Sequence, residues 1–150
     1  MTVRKMVVGV SLLGFAVLFS GCSTLYHQKW KRVPVEFESA NGLTGRWEGT
    51  WVSDVNQHQG RLRCIVSDDS KGEYDLHFWA TWSLFSGSYH LTAPVTQTNN
   101  VYRFRGSKNL GALAGGEYRF EGVIDGQEFQ AAYTSAKDHG RFLLQRVPAD

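Results

Sequence analysis

The chain has 150 residues, of which 42% are hydrophobic and 20% charged, and this composition fits one globular domain and excludes a disordered chain. Sixteen Lys and Arg residues stand against 14 Asp and Glu, and two of the basic residues, Arg4 and Lys5, lie in an N-terminal segment with the features of an export signal. Without that segment the charges balance. We therefore expect no nucleic-acid partner, because nucleic-acid binding requires a sustained basic surface.

The N-terminal segment predicts export and a lipid anchor. A basic start is followed by the apolar run 6–19, which is shorter than the roughly 18–20 residues that a membrane-spanning helix needs. Ser20 and Gly21 then precede Cys22, an order that resembles the lipobox of bacterial lipoproteins, with Phe19 where that family more often has leucine. The resemblance implies cleavage before Cys22 and a diacylglycerol on its sulfur. The alternative is an ordinary signal peptide with an incidental cysteine.

The anchor in turn predicts where the protein acts. Two or three acyl chains hold a protein firmly on a membrane, so we expect it in the cell envelope, on a membrane surface outside the cytoplasm. Ser23 follows Cys22 in place of Asp, which resembles the outer-membrane sorting pattern of Gram-negative lipoproteins, with the protein facing the periplasm. We expect a signal peptide at 1–21, a lipidated N-terminus and tether at 22–43, and a β-domain at 44–148.

The predicted tether and the second cysteine have simple interpretations. The tether contains a basic cluster around Trp30, which either forms a solvated linker or contacts anionic headgroups with Trp30 at the membrane interface. Cys64 has no second cysteine for an internal disulfide once Cys22 carries lipid. It alternates with Leu62 and Val66, so we expect a small buried side chain and not a reactive thiol.

From Gly45 onward apolar side chains fall on every second residue, which is typical of strands with one buried face. The intervening positions are mostly Arg, Glu, Gln, Ser, Thr and His, and no stretch has a convincing amphipathic helical pattern. The alternation predicts about eight antiparallel strands, at 45–52, 61–66, 73–82, 85–93, 101–106, 117–124, 127–134 and 141–147.

Two tight turns predict the register of their hairpins. Asp125-Gly126 is a strong two-residue turn signal, and it sets Gly122 opposite Phe129. A turn at Ser83-Leu84 sets His77 opposite His90 on the outer face. Two facing imidazoles can bind a metal ion or repel each other when protonated, but the simpler interpretation is two exposed polar residues on a sheet.

Short strands joined by hairpins predict an all-β domain, a single antiparallel up-and-down barrel of about eight strands, with a β-sandwich as the alternative. Gly45-Arg46-Trp47 at the start of the first strand resembles the Gly-x-Trp of lipocalins and other calycins. In that family the Trp closes one barrel end and an Arg near the end of the last strand stacks on it, which implies this role for Arg146. The wider pattern is similar to small bacterial lipoproteins and implies location and fold but no activity.

Residues capable of catalytic or metal chemistry form no recognisable arrangement. The five histidines lack His-x-x-x-His spacing and no Cys-x-x-Cys pair is present, so a zinc site has no support. Ser86-Gly87-Ser88 lies in a predicted strand and lacks the Gly-x-Ser-x-Gly order of hydrolases. We expect no catalytic residue, no metal, no cofactor and no enzymatic activity.

Two functional hypotheses remain, and both depend on the inward aromatic residues. In the first, the barrel binds a small apolar or aromatic ligand, lined by Trp47, Trp51, Tyr74, Phe78, Trp82, Tyr89 and Tyr118. In the second, which we favour, these rings fill the core and the protein has a structural or protein-interaction role. Inward Gly87 and Gly122 leave some space inside, and outward Trp79 and Val123 mark a candidate partner surface.

Overall fold

The computed structural model describes residues 24–33, 42–112 and 115–148. The predicted signal peptide and Cys22 lie outside the described residues, as does part of the predicted tether. No helix among the described residues is long and apolar enough to cross a membrane.

The domain is a closed barrel of eight antiparallel strands in which each strand pairs with its sequence neighbours and the last pairs with the first. This confirms the predicted up-and-down barrel over the sandwich. The strands are β1 (Gly45–Ser53), β2 (Gln59–Asp68), β3 (Glu73–Trp82), β4 (Phe85–Thr98), β5 (Val101–Asn109), β6 (Glu117–Asp125), β7 (Glu128–Thr134) and β8 (His139–Arg146).

The period-two pattern corresponds to the inner and outer faces of the barrel wall. In β7, buried Phe129, Ala131 and Tyr133 alternate with exposed Glu, Gln, Ala and Thr. Cys64 is fully buried between Leu62 and Val66, as its position in the alternation predicted. The core therefore lies inside the barrel, and charged side chains cover much of the outer wall.

One of the two predicted hairpin registers is correct and the other is wrong by two residues. Ser83 and Leu84 form the β3–β4 turn, and His77 faces His90. In the β6–β7 hairpin the turn residues are Gly126 and Gln127, so Gly122 faces Ala131 instead of Phe129. Gly126 has a φ of 57° and Gln127 has no positive φ, which is the type II′ pattern with glycine first.

Residues 24–32 form a helix, α1, that the sequence analysis did not predict. Tyr26 and Trp30, four residues apart, are buried on the outer wall against Ile65 of β2 and Trp79 of β3. The interpretation of Trp30 as a membrane-interface residue is therefore wrong, because its ring packs on the barrel. The outward Trp79 is likewise covered by the chain's own helix and is not a free partner surface.

The barrel has two ends, which we name by their tryptophans. The Trp47 end contains the start of β1, the end of β8 and the β2–β3, β4–β5 and β6–β7 turns. The Trp82 end contains the β1–β2, β3–β4 and β7–β8 turns and the β5–β6 loop.

Gly122→Ala tests how tightly the interior is packed. A Cβ at this position would lie 2.3 Å from ring atoms of Phe104 and 3.0 Å from the Cβ of Ala131. We expect Gly122→Ala to lower the free energy of unfolding by about 1–3 kcal/mol, measured by urea denaturation.

The matched control is Val123→Thr, the outward neighbour of Gly122, which should change stability by less than about 0.5 kcal/mol. An unchanged stability in Gly122→Ala would mean that the interior has room to spare.

Candidate functional site

The seven residues predicted to line a ligand site lie at different levels of the barrel. Trp47 is fully buried and Tyr74 is half-buried near the Trp47 end, and Phe78 is fully buried further along β3. Trp51, Tyr89 and Tyr118 are half-buried towards the Trp82 end. Trp82 lies on the inner face at the rim of the barrel, where its ring packs over Gly87 and remains 45% exposed.

Aromatic rings from opposite walls meet in the middle of the barrel. Phe78 on β3 lies 5.2 Å from Tyr89, 6.4 Å from Phe120, 6.2 Å from Phe129 and 5.5 Å from Phe142 between ring centroids. These partners belong to β4, β6, β7 and β8, so the contacts span the barrel. Centroid separations of 4.5–7 Å are those of rings in direct contact, which leaves no space for a ligand at this level.

The space expected beside two inward glycines is occupied. At Gly122 the Phe104 ring takes the volume that a side chain would fill, and at Gly87 the Trp82 ring does so, 2.9 Å from where a Cβ would lie. The first case follows from the two ladders of β6, because Gly122 faces Phe104 on β5 and the small Ala131 on β7. The expectation that these glycines leave free volume is therefore wrong.

At the Trp47 end the barrel is closed by Trp47 and Arg146. The Arg146 guanidinium carbon lies 4.3 Å from the Trp47 ring centroid, the stacking that the calycin resemblance implied. Arg146 also donates hydrogen bonds to the carbonyls of Thr44, at 2.9 Å, and Gly42. The Trp47 indole N–H donates to the carbonyl of buried Leu43. These contacts fix the chain that enters β1 across this end.

At the Trp82 end a hydrogen-bonded network joins two turns. The Ser53 hydroxyl and the Tyr133 hydroxyl both donate to the Asp138 carboxylate, at 2.6 and 3.1 Å. Burial, together with the adjacent Asp138, raises the pKa of Tyr133, so this hydroxyl stays protonated and donates. The sequence analysis missed this network because its members are 85 and 5 residues apart and lie in no known motif.

The Trp51 indole is directed into the barrel wall. Its N–H donates to the carbonyl of Thr81 at 2.8 Å, and the indole nitrogen lies 2.5 Å from where a Cβ of Gly60 would be. A glycine at position 60 thus lets the indole cross β2 to reach β3. Because its polar group already has a protein partner, Trp51 has no free donor for a ligand.

Helix α1 covers a mixed aromatic and basic patch of the outer wall. The Tyr26 ring lies 4.7 Å from His77 and 6.2 Å from Trp79, and the His27 ring lies 4.9 Å from Trp79. One turn later Trp30 lies under two guanidinium groups, those of Arg63 at 4.8 Å and Arg46 at 5.6 Å. Arg63 in turn pairs with Glu48, so its charge is balanced within the patch.

The predicted pair His77 and His90 is present, but only one of the two is exposed. Their rings stack with centroids 3.7 Å apart. Tyr26 buries His77, whereas His90 bonds the Asp75 carboxylate at 2.9 Å. Stacked rings direct their nitrogens past each other, so this geometry does not suit shared metal coordination. Among residues 24–33, 42–112 and 115–148 no three His, Cys, Asp or Glu side chains are grouped to hold a metal ion.

One buried group of the patch and one of the barrel interior titrate away from their ordinary range. Burial lowers the pKa of His77 to about 4, with a smaller contribution from neighbouring His90. Within the described part of the chain, the Nδ1 atom of His77 and the hydroxyl of Tyr26 have no hydrogen-bond partner. Burial also raises the pKa of the Cys64 thiol, which makes it unreactive at neutral pH.

No protein-family model, curated protein or solved structure matches this chain.

The buried His77 predicts acid sensitivity. His77 is neutral in the folded chain down to about pH 4 but binds a proton near its ordinary pKa of about 6.5 when unfolded. The free energy of unfolding is therefore unaffected by His77 above about pH 6.5. It falls by up to about 3 kcal/mol as the pH decreases to 4, because the unfolded chain binds the proton first. Between pH 6.5 and 4 we expect His77→Leu to lose less stability than the wild type, measured by urea denaturation at a series of pH values.

His58→Asn, at an exposed turn position, is the control and should follow the wild-type pH profile. Identical pH profiles for wild type and His77→Leu would contradict the assignment.

Proposed function

We propose that this chain is an exported lipoprotein, anchored through Cys22, whose filled barrel serves as a rigid, non-catalytic scaffold for a protein partner. The anchor rests on the lipobox-like order of Ser20, Gly21 and Cys22. Because the mature chain carries balanced charge, the proposed partner is a protein or membrane surface and not a nucleic acid.

The observation that carries this proposal is the ring packing around Phe78. Its four ring contacts reach across the barrel at separations of 5.2–6.4 Å, so the middle of the interior is occupied by the protein's own side chains. A barrel of eight strands is only just wide enough for such side chains. A core of this kind supports a structural role, and we propose that recognition uses the outer surface.

A non-catalytic role is supported by the surroundings of the candidate nucleophiles. Cys64 is buried, and burial holds its thiol in the protonated form. The Ser53 hydroxyl donates to Asp138, an arrangement without an imidazole to accept its proton. The stacking of Arg146 on Trp47 supports the assignment of this barrel as calycin-like.

Ligand binding in the barrel is the second candidate, and one observation favours it. Trp51, Tyr89 and Tyr118 are only half-buried at the Trp82 end, so aromatic surface is accessible at that rim. A ligand there would be held at the mouth, above the rings that pack around Phe78.

Native mass spectrometry of the protein, purified gently from its host's envelope after removal of the lipid anchor, separates the two candidates. The filled-core proposal expects a bare protein mass. A reproducible additional mass of a few hundred daltons, lost on denaturation, would overturn it in favour of ligand binding.

The anchor is tested by Cys22→Ser in the full-length gene. We expect the wild-type protein in the membrane fraction with an N-terminal peptide that carries acyl chains, because two or three chains hold a protein on a bilayer. The variant should lose the lipid and leave the membrane fraction after a salt wash. Cys64→Ser, at the buried thiol, is the control and should stay lipidated. An unmodified N-terminal peptide in the wild type would contradict the lipobox assignment.

A further inference from the structure

The β3–β4 hairpin ends in an apolar tip that is largely exposed. We define this hairpin tip as Trp82, Ser83, Leu84 and Phe85. Leu84 is 95% exposed, Phe85 66% and Trp82 45%, the largest grouping of exposed apolar side chains within one described turn. The tip thus leaves a concentrated apolar surface in water, which soluble domains ordinarily avoid.

The hairpin tip and the strand residues that lead to it carry no charge. Residues 78–89 contain no Asp, Glu, Lys, Arg or His. The β2–β3 turn, by contrast, contains Asp69 and Lys71, and the β6–β7 turn is flanked by Asp125 and Glu128. A stretch without charge can leave water without stripping the hydration shell of an ion, which is the property required of a segment that enters a bilayer interface.

The N-terminal end of α1 is its end nearer to the tip. Tyr26 and His27, in the first turn, pack on β3, and the His27 ring lies 4.9 Å from Trp79. Trp30, one turn later, lies under Arg46 of β1. Trp79 precedes Trp82 by three strand residues, a rise of about 10 Å. The helix therefore begins beside the strand that leads to the tip.

The chain before α1 is too short to separate the anchor from this side of the barrel. Cys22 precedes residue 24 by two residues, which span at most about 7 Å when extended. If Cys22 carries the lipid, the start of α1 is held at the headgroups. Exposed Arg61 of β2, whose backbone N–H donates to the Thr81 hydroxyl beside the tip, favours an anionic surface on this side.

We propose that the hairpin tip inserts into the bilayer interface beside the anchored N-terminus and so orients the barrel on the membrane. The inference rests on the proposed lipid anchor for its geometry. Trp82 takes the level of the headgroups, where amphipathic rings are enriched, and Leu84 and Phe85 enter the acyl boundary. The Trp47 end is thereby directed away from the membrane, towards a soluble or opposing partner.

A single thiol at the tip makes the proposal measurable. A chain that begins at residue 23 keeps helix α1 and all eight strands of the barrel. Its one native cysteine, Cys64, is buried. Leu84→Cys then offers one accessible thiol for an environment-sensitive fluorophore. A hexahistidine tag before residue 23 replaces the lipid and binds vesicles of phosphatidylethanolamine and phosphatidylglycerol that contain a nickel-chelating lipid.

We expect a severalfold rise in emission at position 84 on vesicle binding, and quenching of it by brominated acyl chains. The matched control is Leu143→Cys, an exposed apolar position on β8, four strands from β4 around the ring. Its emission should change by less than a fifth of that rise.

Three results would overturn the proposal. One is an unchanged emission at position 84 on tethered vesicles, and another is an equal change at position 143. The third is a concentration-dependent change at position 84 without vesicles, which would identify the tip as a contact between copies of the chain. Because the tag replaces the lipid, these results are independent of the Cys22→Ser experiment on the anchor.

Discussion

The packing of aromatic rings around Phe78 is the constraint on which the rest of the structure depends. A phenyl ring on β3 that contacts rings on β4, β6, β7 and β8 ties non-adjacent strands together through the interior. The wall also accommodates two further rings, because Phe104 and Trp82 lie where side chains of Gly122 and Gly87 would otherwise be. Ladder hydrogen bonds close the barrel, and the rings around Phe78 occupy its middle.

The outer surface of the barrel is divided unequally by helix α1. Ile65 and Trp79 would be an exposed apolar patch on the bare barrel, and α1 covers them with Tyr26 and Trp30. Arg63 stacks on Trp30 and pairs with Glu48, so the patch under the helix is also electrostatically satisfied. Among the described residues, the hairpin tip at the Trp82 end stays exposed, with Leu84 and Phe85 in water.

The candidate site was predictable in composition but not in geometry. Alternation placed Trp47, Phe78, Tyr89 and their neighbours on the inner face, and a two-residue turn placed His77 opposite His90. Alternation says nothing of depth along the barrel axis, so it could not show that the inner-face ring of Trp82 lies at the exposed rim. Nor could it tell that His77 is buried, because the residue that covers it, Tyr26, is 51 positions away in the chain.

The sequence by itself determined the number of strands, their order and the face that each side chain occupies, because those properties follow from a local period of two and from short turns. Even the α1 helix had a local signal, the four-residue spacing of Tyr26 and Trp30, which the surrounding basic residues obscured. The β6–β7 register and the filling of the middle of the interior were settled only when the chain folded. These depend on which volumes meet across the barrel, and volumes from distant strands come into contact only when the cylinder closes.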